Sequence, residues 1–268
     1  MVIGNRKFEE NRTYIMGILN VTPDSFSDGG KFNNIDAALK HTEQMIKDGA
    51  DIIDVGGEST RPNYTKISDE EEIGRVTPVI EAIKKNFDIP VSIDTYKSAV
   101  GEAAIKSGAD LMNDIWGFKY DEKMAEITAK YNKTCCLMHN RKEAVYNNFI
   151  EDVLADLKES VDIALKAGVK KENIMLDPGV GFAKSYEQNL EITNKLEMLN
   201  TLGYPVLLGT SRKSMIGLTL DLPADQRVEG TLATTVLAVI KNAMFVRVHD
   251  VLENKRIIKM TERILGKA

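Results

Sequence analysis

Polar residues follow a series of short apolar runs in this 268-residue chain, at the points where those runs end. Basic side chains at such positions bind anions, and arginine in particular offers two parallel donors to a phosphate. Aspartate accepts hydrogen bonds from adjacent N–H groups at the edge of a nitrogen heterocycle, as it does from nucleobase amines. The basic candidates are Arg61, Arg212, Lys213, Arg247 and His249, and the acidic and amide candidates are Asp94, Asp177, Asn20 and Asn113. Together they predict a pocket that binds a heterocycle and an anion.

The sequence has no pattern typical of a zinc site. The three histidines, His41, His139 and His249, are far apart in the chain, and the adjacent Cys135 and Cys136 are too close together to chelate one ion with both thiolates. We expect His41 on the polar face of a helix and His139 in a structural role. The two cysteines are expected to fill apolar space within a strand.

The elements that must position these residues are eight apolar runs, each followed by an amphipathic segment. Continuous apolar runs are typical of parallel strands covered on both faces, and the linking segments repeat apolar residues at helical spacing. One such segment begins near Ile35 and stops at Gly49, and Ser68 with Glu71 forms a capping-box pattern ahead of another. The runs are YIMGILN, ADIIDVGG, IPVSIDT, ADLMND, TCCLMHN, IMLDPG, PVLLGTS and MFVRVHD.

Eight β/α units over this length favour an α/β fold of the (β/α)8 TIM barrel type, with a doubly wound open sheet as the alternative. We find no linker rich in Gly, Ser or Pro, and we therefore expect one domain over residues 1–268. In a barrel, the carboxyl ends of the strands meet at one face. The polar residues after the runs are therefore expected to surround one pocket.

Composition restricts the functional classes. Hydrophobic residues make up 43% and charged residues 28% of the chain, and no apolar run approaches the ~20 residues of a membrane span. The net charge of −5, without a polybasic block, gives no indication of nucleic-acid or membrane binding. We expect a cytoplasmic protein, because the first residues lack the apolar core of a signal peptide.

Seven motifs resemble those of the dihydropteroate synthase family, in that family's order and spacing. They are MGILNVTPDSFSDGG, GADIIDVGGESTRP, SIDTYK, NDIWG, LDPGVGF, GTSRKS and VRVHD. The resemblance covers nearly the whole chain. It implies a TIM-barrel transferase that joins 6-hydroxymethyl-7,8-dihydropterin pyrophosphate to 4-aminobenzoate, releases pyrophosphate and is inhibited by sulfonamides.

The resemblance also implies roles for individual residues. Asp94, Asp177 and Lys213 would be catalytic, and the pterin would be bound by Asp94, Asn113, Met138, Asp177, Phe182, Gly209 and Lys213. Pyrophosphate would be bound by Thr60, Arg247 and His249, with Asn20 as a ligand of Mg²⁺, the one cofactor expected. The aminobenzoate and the closing loops would involve Phe26, Asp28, Arg61, Pro62 and Ser211.

The expected chemistry is an SN1-like substitution. Loss of pyrophosphate leaves positive charge beside an electron-rich ring, which Asp94 and Asp177 would stabilise before the neutral arylamine attacks. A covalent seryl intermediate is not expected, because Ser211 has no evident histidine and carboxylate partners in the sequence. Asp28 and Arg61 have opposite charges and are predicted to pair when the first two loops close.

Two other functions fit part of the pattern. Pterin-binding methyltransferase domains of corrinoid systems resemble this barrel but have no use for the anion-binding Arg247, His249 and SRKS. A non-catalytic pterin-binding paralogue would be expected to lose parts of the first two loops, which are intact here. The chain departs from the family pattern at Asn140, and also at Ala183, where glycine is common. The resemblance implies a homodimer, for which the apolar last helices would supply a face.

Overall fold

The computed structural model describes residues 1–22, 31–58 and 66–267, and the chain folds there into alternating strands and helices. The strands are β1 Val2–Ile3, β2 Arg6–Lys7, β3 Tyr14–Asn20, β4 Ile52–Gly56, β5 Val91–Asp94, β6 Leu111–Asp114, β7 Thr134–Met138, β8 Ile174–Asp177, β9 Leu207–Leu208 and β10 Phe245–Val248. The helices are α1 Lys31–Asp48, α2 Asp69–Asn86, α3 Ser98–Lys106, α4 Lys123–Lys130, α5 Phe149–Lys166, α6 Tyr186–Asn194, α7 Ser214–Leu220, α8 Val228–Ile240 and α9 Val251–Ile264.

The eight strands β3 to β10 form one parallel sheet that follows the order of the chain. The order is β8-β7-β6-β5-β4-β3-β10-β9, and a parallel bridge between Leu176 and Val206 joins β8 to the segment that leads into β9. The sheet therefore curls into a barrel with the helices around it, which confirms the predicted single-domain (β/α)8 fold. The open doubly wound sheet was the wrong alternative, because its strand order would reverse at a switch point.

The helices begin and end where local sequence predicts. Ser68 caps α2, accepting a hydrogen bond from the backbone N–H of Glu71 at 3.2 Å. Ser185 and Gln188 form a complete capping box at the start of α6, which satisfies two N–H groups that a helix leaves unpaired at its first turn. Helix α1 ends at Asp48, immediately before Gly49, as predicted.

Apolar residues form two layers that fix the strands. The larger layer lies between the strands and the surrounding helices, and the smaller one fills the lower half of the barrel interior. The hairpin of β1 and β2 closes the bottom: Ile3 and Phe8 are buried, and the ring of Phe8 lies 5.4 Å from that of Phe245. The eight runs did not identify this hairpin, because two-residue strands carry no usable periodicity.

None of the helices in the described part of the chain is long and apolar enough to span a membrane.

Candidate functional site

A polar layer lies directly above the lower apolar core, and strand periodicity explains it. Side chains two residues apart in a strand point to the same face, so each inward apolar residue places the residue two positions later in the next layer. Asp54 thus follows Ile52, and Arg247 follows Phe245. Asn113, Met138, Asp177 and Gly209 follow Leu111, Cys136, Met175 and Leu207 in the same way.

The strand register brings the predicted residues side by side. Asn20 pairs with Gly56, Gly56 with Asp94, and Asp94 with Asn113. On the opposite side of the barrel, Asp177 pairs with Met138. The residues assigned to the pterin, and the proposed metal ligand, therefore all lie at one end of the barrel.

Arg247 is at the centre of this layer and is held by two carboxylates. Its Nε donates to Asp54 Oδ2 at 2.5 Å, and its Nη2 donates to Asp94 Oδ2 at 2.6 Å. Asn113 Nδ2 donates to the same Asp54 oxygen at 3.3 Å. Burial disfavours the charged guanidinium, yet the two carboxylates outweigh it and raise the pKa of Arg247 above its ordinary value. The arginine stays charged inside the pocket.

Asp94 has one oxygen ready for a ligand. Its Oδ1 is buried and has no hydrogen-bond partner among the residues that the structure describes. Burial raises the pKa of Asp94 to about 7, with Arg247 opposing the shift and Asp54 adding to it. An unpaired buried acceptor costs free energy that a ligand N–H would recover. Asp94 is therefore a strong candidate for binding a heterocycle edge.

Asp177 faces the same space from β8. Its Oδ1 accepts the backbone N–H of Gly179 at 2.7 Å, and burial raises its pKa to about 6. A methyl group on Gly209 would lie 3.5 Å from Asp177 Oδ2 and 3.9 Å from Cβ of Arg247. Glycine at this position leaves the second carboxylate oxygen uncovered.

Apolar side chains and one lysine form the wall beside the carboxylates. Met138 packs in a small buried cluster with Tyr96 and Ile115, and Phe182 packs against that cluster. Lys213 Nζ lies 4.3 Å above the centre of the Phe182 ring. Burial lowers the pKa of Lys213 to about 8, with Arg247 contributing. A flat ring between this wall and the carboxylates would meet donors, acceptors and apolar faces together.

Ser211 and His249 are in direct contact at the ends of β9 and β10. Ser211 Oγ lies 2.9 Å from His249 Nδ1 and accepts the backbone N–H of His249 at 3.1 Å. The expectation that Ser211 has no histidine partner was therefore wrong, because the partner is distant in sequence. Next to them, Arg212 forms a bidentate ion pair with Asp250, with Nε and Nη2 each donating to one carboxylate oxygen. Arg212 is thus engaged in structure and is not directed at the pocket centre as an anion ligand.

His139 has the structural surroundings that we predicted. It is buried, with Nε2 3.0 Å from Asp156 Oδ2 and Nδ1 2.8 Å from Lys184 Nζ. Burial lowers the pKa of His139 to about 4, so the ring is neutral.

Cys135 and Cys136 are buried free thiols, and burial raises both of their pKa values.

Five of the predicted residues lie outside the described ranges: Phe26, Asp28, Thr60, Arg61 and Pro62. Their assignments to pyrophosphate, aminobenzoate and loop closure remain predictions. Glu58 and Ile67, near the ends of two described ranges, are joined by a buried lysine. Lys97 Nζ donates to Glu58 and Glu72 at 2.8 Å and to the carbonyl of Ile67 at 2.9 Å.

The metal prediction depends on one side chain. Over residues 1–22, 31–58 and 66–267, no group of three or more His, Cys, Asp or Glu residues is arranged to hold an ion. Asn20, half-buried at the end of β3, offers an amide oxygen near Gly56 and Asp94. Mg²⁺ accepts this kind of ligand, because it keeps several waters and takes most other oxygens from phosphates.

Sequence interpretation missed two residues, Asp54 of this layer and Lys184 of the loop after β8. Asp54 is a polar residue inside the run ADIIDVGG, two residues after the inward Ile52, so strand periodicity alone could have placed it in the pocket. Lys184 has no such signal, because its role comes from a loop that folds back on β7.

Comparison with known proteins agrees with this geometry. Residues 16–249 match the model of the family described as pterin binding enzyme. The chain is 66% identical over 267 residues to the dihydropteroate synthase of Clostridium beijerinckii, with 99% of both chains covered. Among solved structures it resembles the Clostridium difficile enzyme determined in the presence of pteroic acid, with a TM-score of 0.94, 52% identity, and 96% and 99% of the two chains covered. It also resembles the Yersinia pestis dihydropteroate synthase solved with a sulfonamide drug, with a TM-score of 0.92, 38% identity, and 100% and 99% covered.

Proposed function

The chain belongs to the dihydropteroate synthase family of pterin-binding transferases in folate biosynthesis, and we propose that it joins 6-hydroxymethyl-7,8-dihydropterin pyrophosphate to 4-aminobenzoate. The products are 7,8-dihydropteroate and pyrophosphate. The observation that carries this proposal is the buried Oδ1 of Asp94, which has no hydrogen-bond partner among the described residues and faces the same pocket as Asp177 and an apolar wall. Two carboxylates that face one pocket suit the N–H donors along the edge of a pterin.

The pterin subsite combines directional and apolar contacts. Asp94 and Asp177 accept from the amino and ring N–H groups, while Asn113 and Lys213 supply donors to ring acceptors. Met138 and Phe182 cover the ring faces. Support comes from the register of β5, β6, β7 and β8, which places these side chains in one layer, and from the cation–π contact that fixes Lys213 over Phe182.

The leaving group is proposed to lie on the basic side of the pocket. Arg247 and His249, with Thr60 from the second loop, would bind pyrophosphate. Arg247 is already paired with Asp54 and Asp94. Because these carboxylates offset its charge, Arg247 attracts the anion less strongly than an unpaired cation would.

Mg²⁺ is proposed to be held by the amide oxygen of Asn20 together with pyrophosphate oxygens and water. When bound, it would supply positive charge to the departing anion. The half-buried oxygen of Asn20 beside Gly56 fits such a ligand.

The reaction is proposed to be SN1-like. The bond from the pterin methylene carbon to the pyrophosphate oxygen breaks, its electron pair leaves with pyrophosphate, and the ring carries positive charge. The ionised carboxylates of Asp94 and Asp177 stabilise that charge. The arylamine lone pair then forms the new carbon–nitrogen bond, and the amine loses a proton to water or to pyrophosphate. No strong base is needed, because the amine nitrogen of 4-aminobenzoate is neutral near pH 7.

The aminobenzoate is proposed to bind near Ser211, with Phe26, Asp28, Arg61 and Pro62 from the first two loops. Closure of those loops after pyrophosphate binds would pair Asp28 with Arg61. The Yersinia pestis relative was solved with a sulfonamide drug, which supports sulfonamide binding by this chain. A sulfonamide should therefore compete with 4-aminobenzoate and not with the pterin substrate.

We also propose a homodimer in the cytoplasm. Exposed apolar side chains cluster on the last helices: Leu218 of α7 is 69% exposed, Ile240 of α8 50%, and Met260 and Ile264 of α9 59% and 71%. Such side chains favour burial by a second copy. The free buried cysteines suit a reducing compartment. Sedimentation velocity at micromolar concentration should give twice the mass of one chain, and a monomer at that concentration would contradict the dimer.

The test of the activity measures pyrophosphate release and dihydropteroate formation together, with Mg²⁺ and with or without 4-aminobenzoate. The wild type should release one pyrophosphate for each dihydropteroate formed. Lys213→Ala should lose this turnover, whereas Lys170→Ala, at an exposed lysine before β8, should keep it. Tight pterin binding without product would identify a binding module, and pyrophosphate release without carbon–nitrogen bond formation would identify a hydrolase. Either result would overturn the proposal.

A further inference from the structure

Lys184 is a half-buried lysine whose three ammonium donors all have partners within the protein. It lies in the loop between β8 and α6, where its Nζ donates to the carbonyl oxygens of Gly179 at 2.9 Å and Phe182 at 3.0 Å. The third contact is His139 Nδ1 at 2.8 Å. A buried lysine is normally paired with a carboxylate. This one instead holds two backbone carbonyls of a loop that forms the pocket.

The proton positions in this network follow from Asp156 on α5. Burial works against its ionised form, yet His139 and Arg141 outweigh it and hold the pKa of Asp156 well below its usual range, so this carboxylate only accepts. The proton of the neutral His139 ring is therefore on Nε2, which donates to Asp156 Oδ2 at 3.0 Å. Nδ1 must then accept, and Lys184 must donate to it. Arg141 Nε, 2.5 Å from the same Asp156 oxygen, fixes the far end.

The two carbonyls that Lys184 binds belong to the pterin subsite. Gly179 also donates its N–H to Asp177 Oδ1 at 2.7 Å. Phe182 carries the ring that Lys213 covers at 4.3 Å. The backbone between them is unusual: Gly179 has φ +69°, and a side chain there would lie 1.9 Å from the carbonyl oxygen of His139. The loop thus contacts the end of β7 closely, and Lys184 links both ends of the turn to it.

Resting on the proposed function, we propose that Lys184 is a positioning residue of the pterin subsite. With His139 and Asp156 it forms a hydrogen-bonded chain from α5 that sets the loop carrying Gly179 and Phe182. Asp177 and the aromatic wall thereby take the places that a pterin ring requires. Lys184 itself does not touch the ring.

Burial lowers the pKa of Lys184 to about 7, so the ammonium is held at a cost. The charges that face it are Asp177 of β8, Lys213 after β9, Asp156 of α5 and Arg141 after β7. Asp177 and Asp156 favour the ammonium, and the two cations oppose it. A residue kept for stability alone would be better replaced by an apolar side chain of similar length.

The experiment compares Lys184→Met with Lys195→Met, a matched change at the exposed lysine that follows α6 and pairs with Glu191. Steady-state kinetics with both substrates should show that Lys184→Met raises KM for dihydropterin pyrophosphate about tenfold or more. KM for 4-aminobenzoate should stay within about twofold, because Lys184 contacts Gly179, Phe182 and His139, none of which is assigned to the aminobenzoate. Lys195→Met should match the wild type in both constants. Equal changes in both KM values, or none, would overturn the positioning role.

A second measurement is independent of turnover. In protein labelled with ¹⁵N-histidine, one of only three rings should show the Nε2–H tautomer and stay neutral down to about pH 5. Lys184→Met should raise the pKa of that ring, since the facing positive charge is removed. An unchanged titration in the variant would show that the contact does not exist in solution.

Two outcomes separate this inference from the proposed function. An inactive wild type with the expected histidine tautomer refutes the synthase activity and leaves the network, whereas an active wild type whose Lys184→Met variant has normal KM values refutes the inference. Should Lys184→Met fail to reach the native circular-dichroism spectrum, His139→Phe carries the test. It removes one of the three acceptors and should raise the pterin KM about threefold, and an unchanged KM would again refute the role.

Discussion

The buried pair of Asp54 and Arg247 offers a sharp test of the electrostatic layer. Asp54 is 0% exposed and accepts Arg247 Nε at 2.5 Å and Asn113 Nδ2 at 3.3 Å. Removing one partner of a buried ion pair costs ~3–5 kcal/mol. Because Arg247 keeps Asp94 at 2.6 Å, we expect Asp54→Ala to fall at the lower end, about 3 kcal/mol.

The variant Asp54→Asn separates charge from hydrogen bonding. Its amide oxygen still accepts from Arg247, so only the difference between a charged and a neutral hydrogen bond is lost, about 1 kcal/mol. With ~2–4 °C in Tm for each kcal/mol in a chain of this size, the alanine variant should unfold ~6–12 °C below the wild type and the asparagine variant ~2–4 °C below.

Differential scanning calorimetry at pH 7 measures these shifts. Asp162→Ala, at an exposed position of α5, is the control and should change Tm by no more than about 2 °C. If Asp54→Ala stayed within that range, the pair would contribute nothing and the account of the layer would be refuted. If the asparagine variant lost as much as the alanine variant, the charge of Asp54 would be the dominant contribution, contrary to this reasoning.

Three further changes test other parts of the structure. Burial raises the pKa of Asp177 to about 6 from 3.8, so the native state keeps a proton that the unfolded chain releases, and the stability that this group contributes falls as pH rises from about 4 to 6. Asp177→Asn should remove this contribution, about 3 kcal/mol, when Tm at pH 4 and pH 8 is compared, and should leave the separate fall due to Asp94. Lys97→Met should lower the free energy of unfolding by ~3–5 kcal/mol, since two buried glutamates lose their shared cation, while Lys170→Met should leave it unchanged. Ala183→Gly should raise Tm by about 2–8 °C, because Ala183 has φ +44°, a left-handed conformation that costs an alanine ~1–2 kcal/mol.

Each of these would be contradicted by a specific result. A pH dependence of Tm that is identical in Asp177→Asn would mean that this carboxyl is not the group that titrates. A Lys97→Met protein as stable as Lys170→Met would mean that the glutamates accept water instead. A lower Tm in Ala183→Gly would show that the greater freedom of glycine in the unfolded chain outweighs the strain that it relieves.

Strand periodicity and motif order predict the barrel and most of its polar layer. Residues such as Asp94, Asn113 and Asp177 are at the ends of apolar runs. Because the strands are parallel and follow chain order, their carboxyl ends all lie at one face of the barrel. The site of each residue along a strand is thus readable from the sequence. The small hairpin at the bottom of the barrel was not, because it is specified by contacts of Ile3 and Phe8 with residues distant in the chain.

The pairing between residues is harder to predict than their position. Nothing in the sequence indicates that Arg247 binds Asp54, 193 residues away, or that Ser211 meets His249. These contacts depend on which inward side chains are long enough to cross the barrel, and that is decided by the three-dimensional register. The loop that brings Lys184 to His139 likewise depends on positive φ values at Gly179, Gly181 and Ala183, which composition does not predict.

The charges of the polar layer explain why a cationic reaction intermediate would be favoured there. Asp54, Asp94 and Asp177 carry three negative charges when ionised, and Arg247 and Lys213 carry two positive ones, so the empty layer has an excess of one negative charge. Burial opposes that excess, which is why the pKa values of Asp94 and Asp177 are raised to about 7 and 6. A ring that becomes positively charged would neutralise the excess and lower both pKa values again. In the proposed reaction, positive charge on the substrate would therefore offset the free-energy cost of burying the carboxylates, and interactions that strengthen at that stage are the ones that accelerate a reaction.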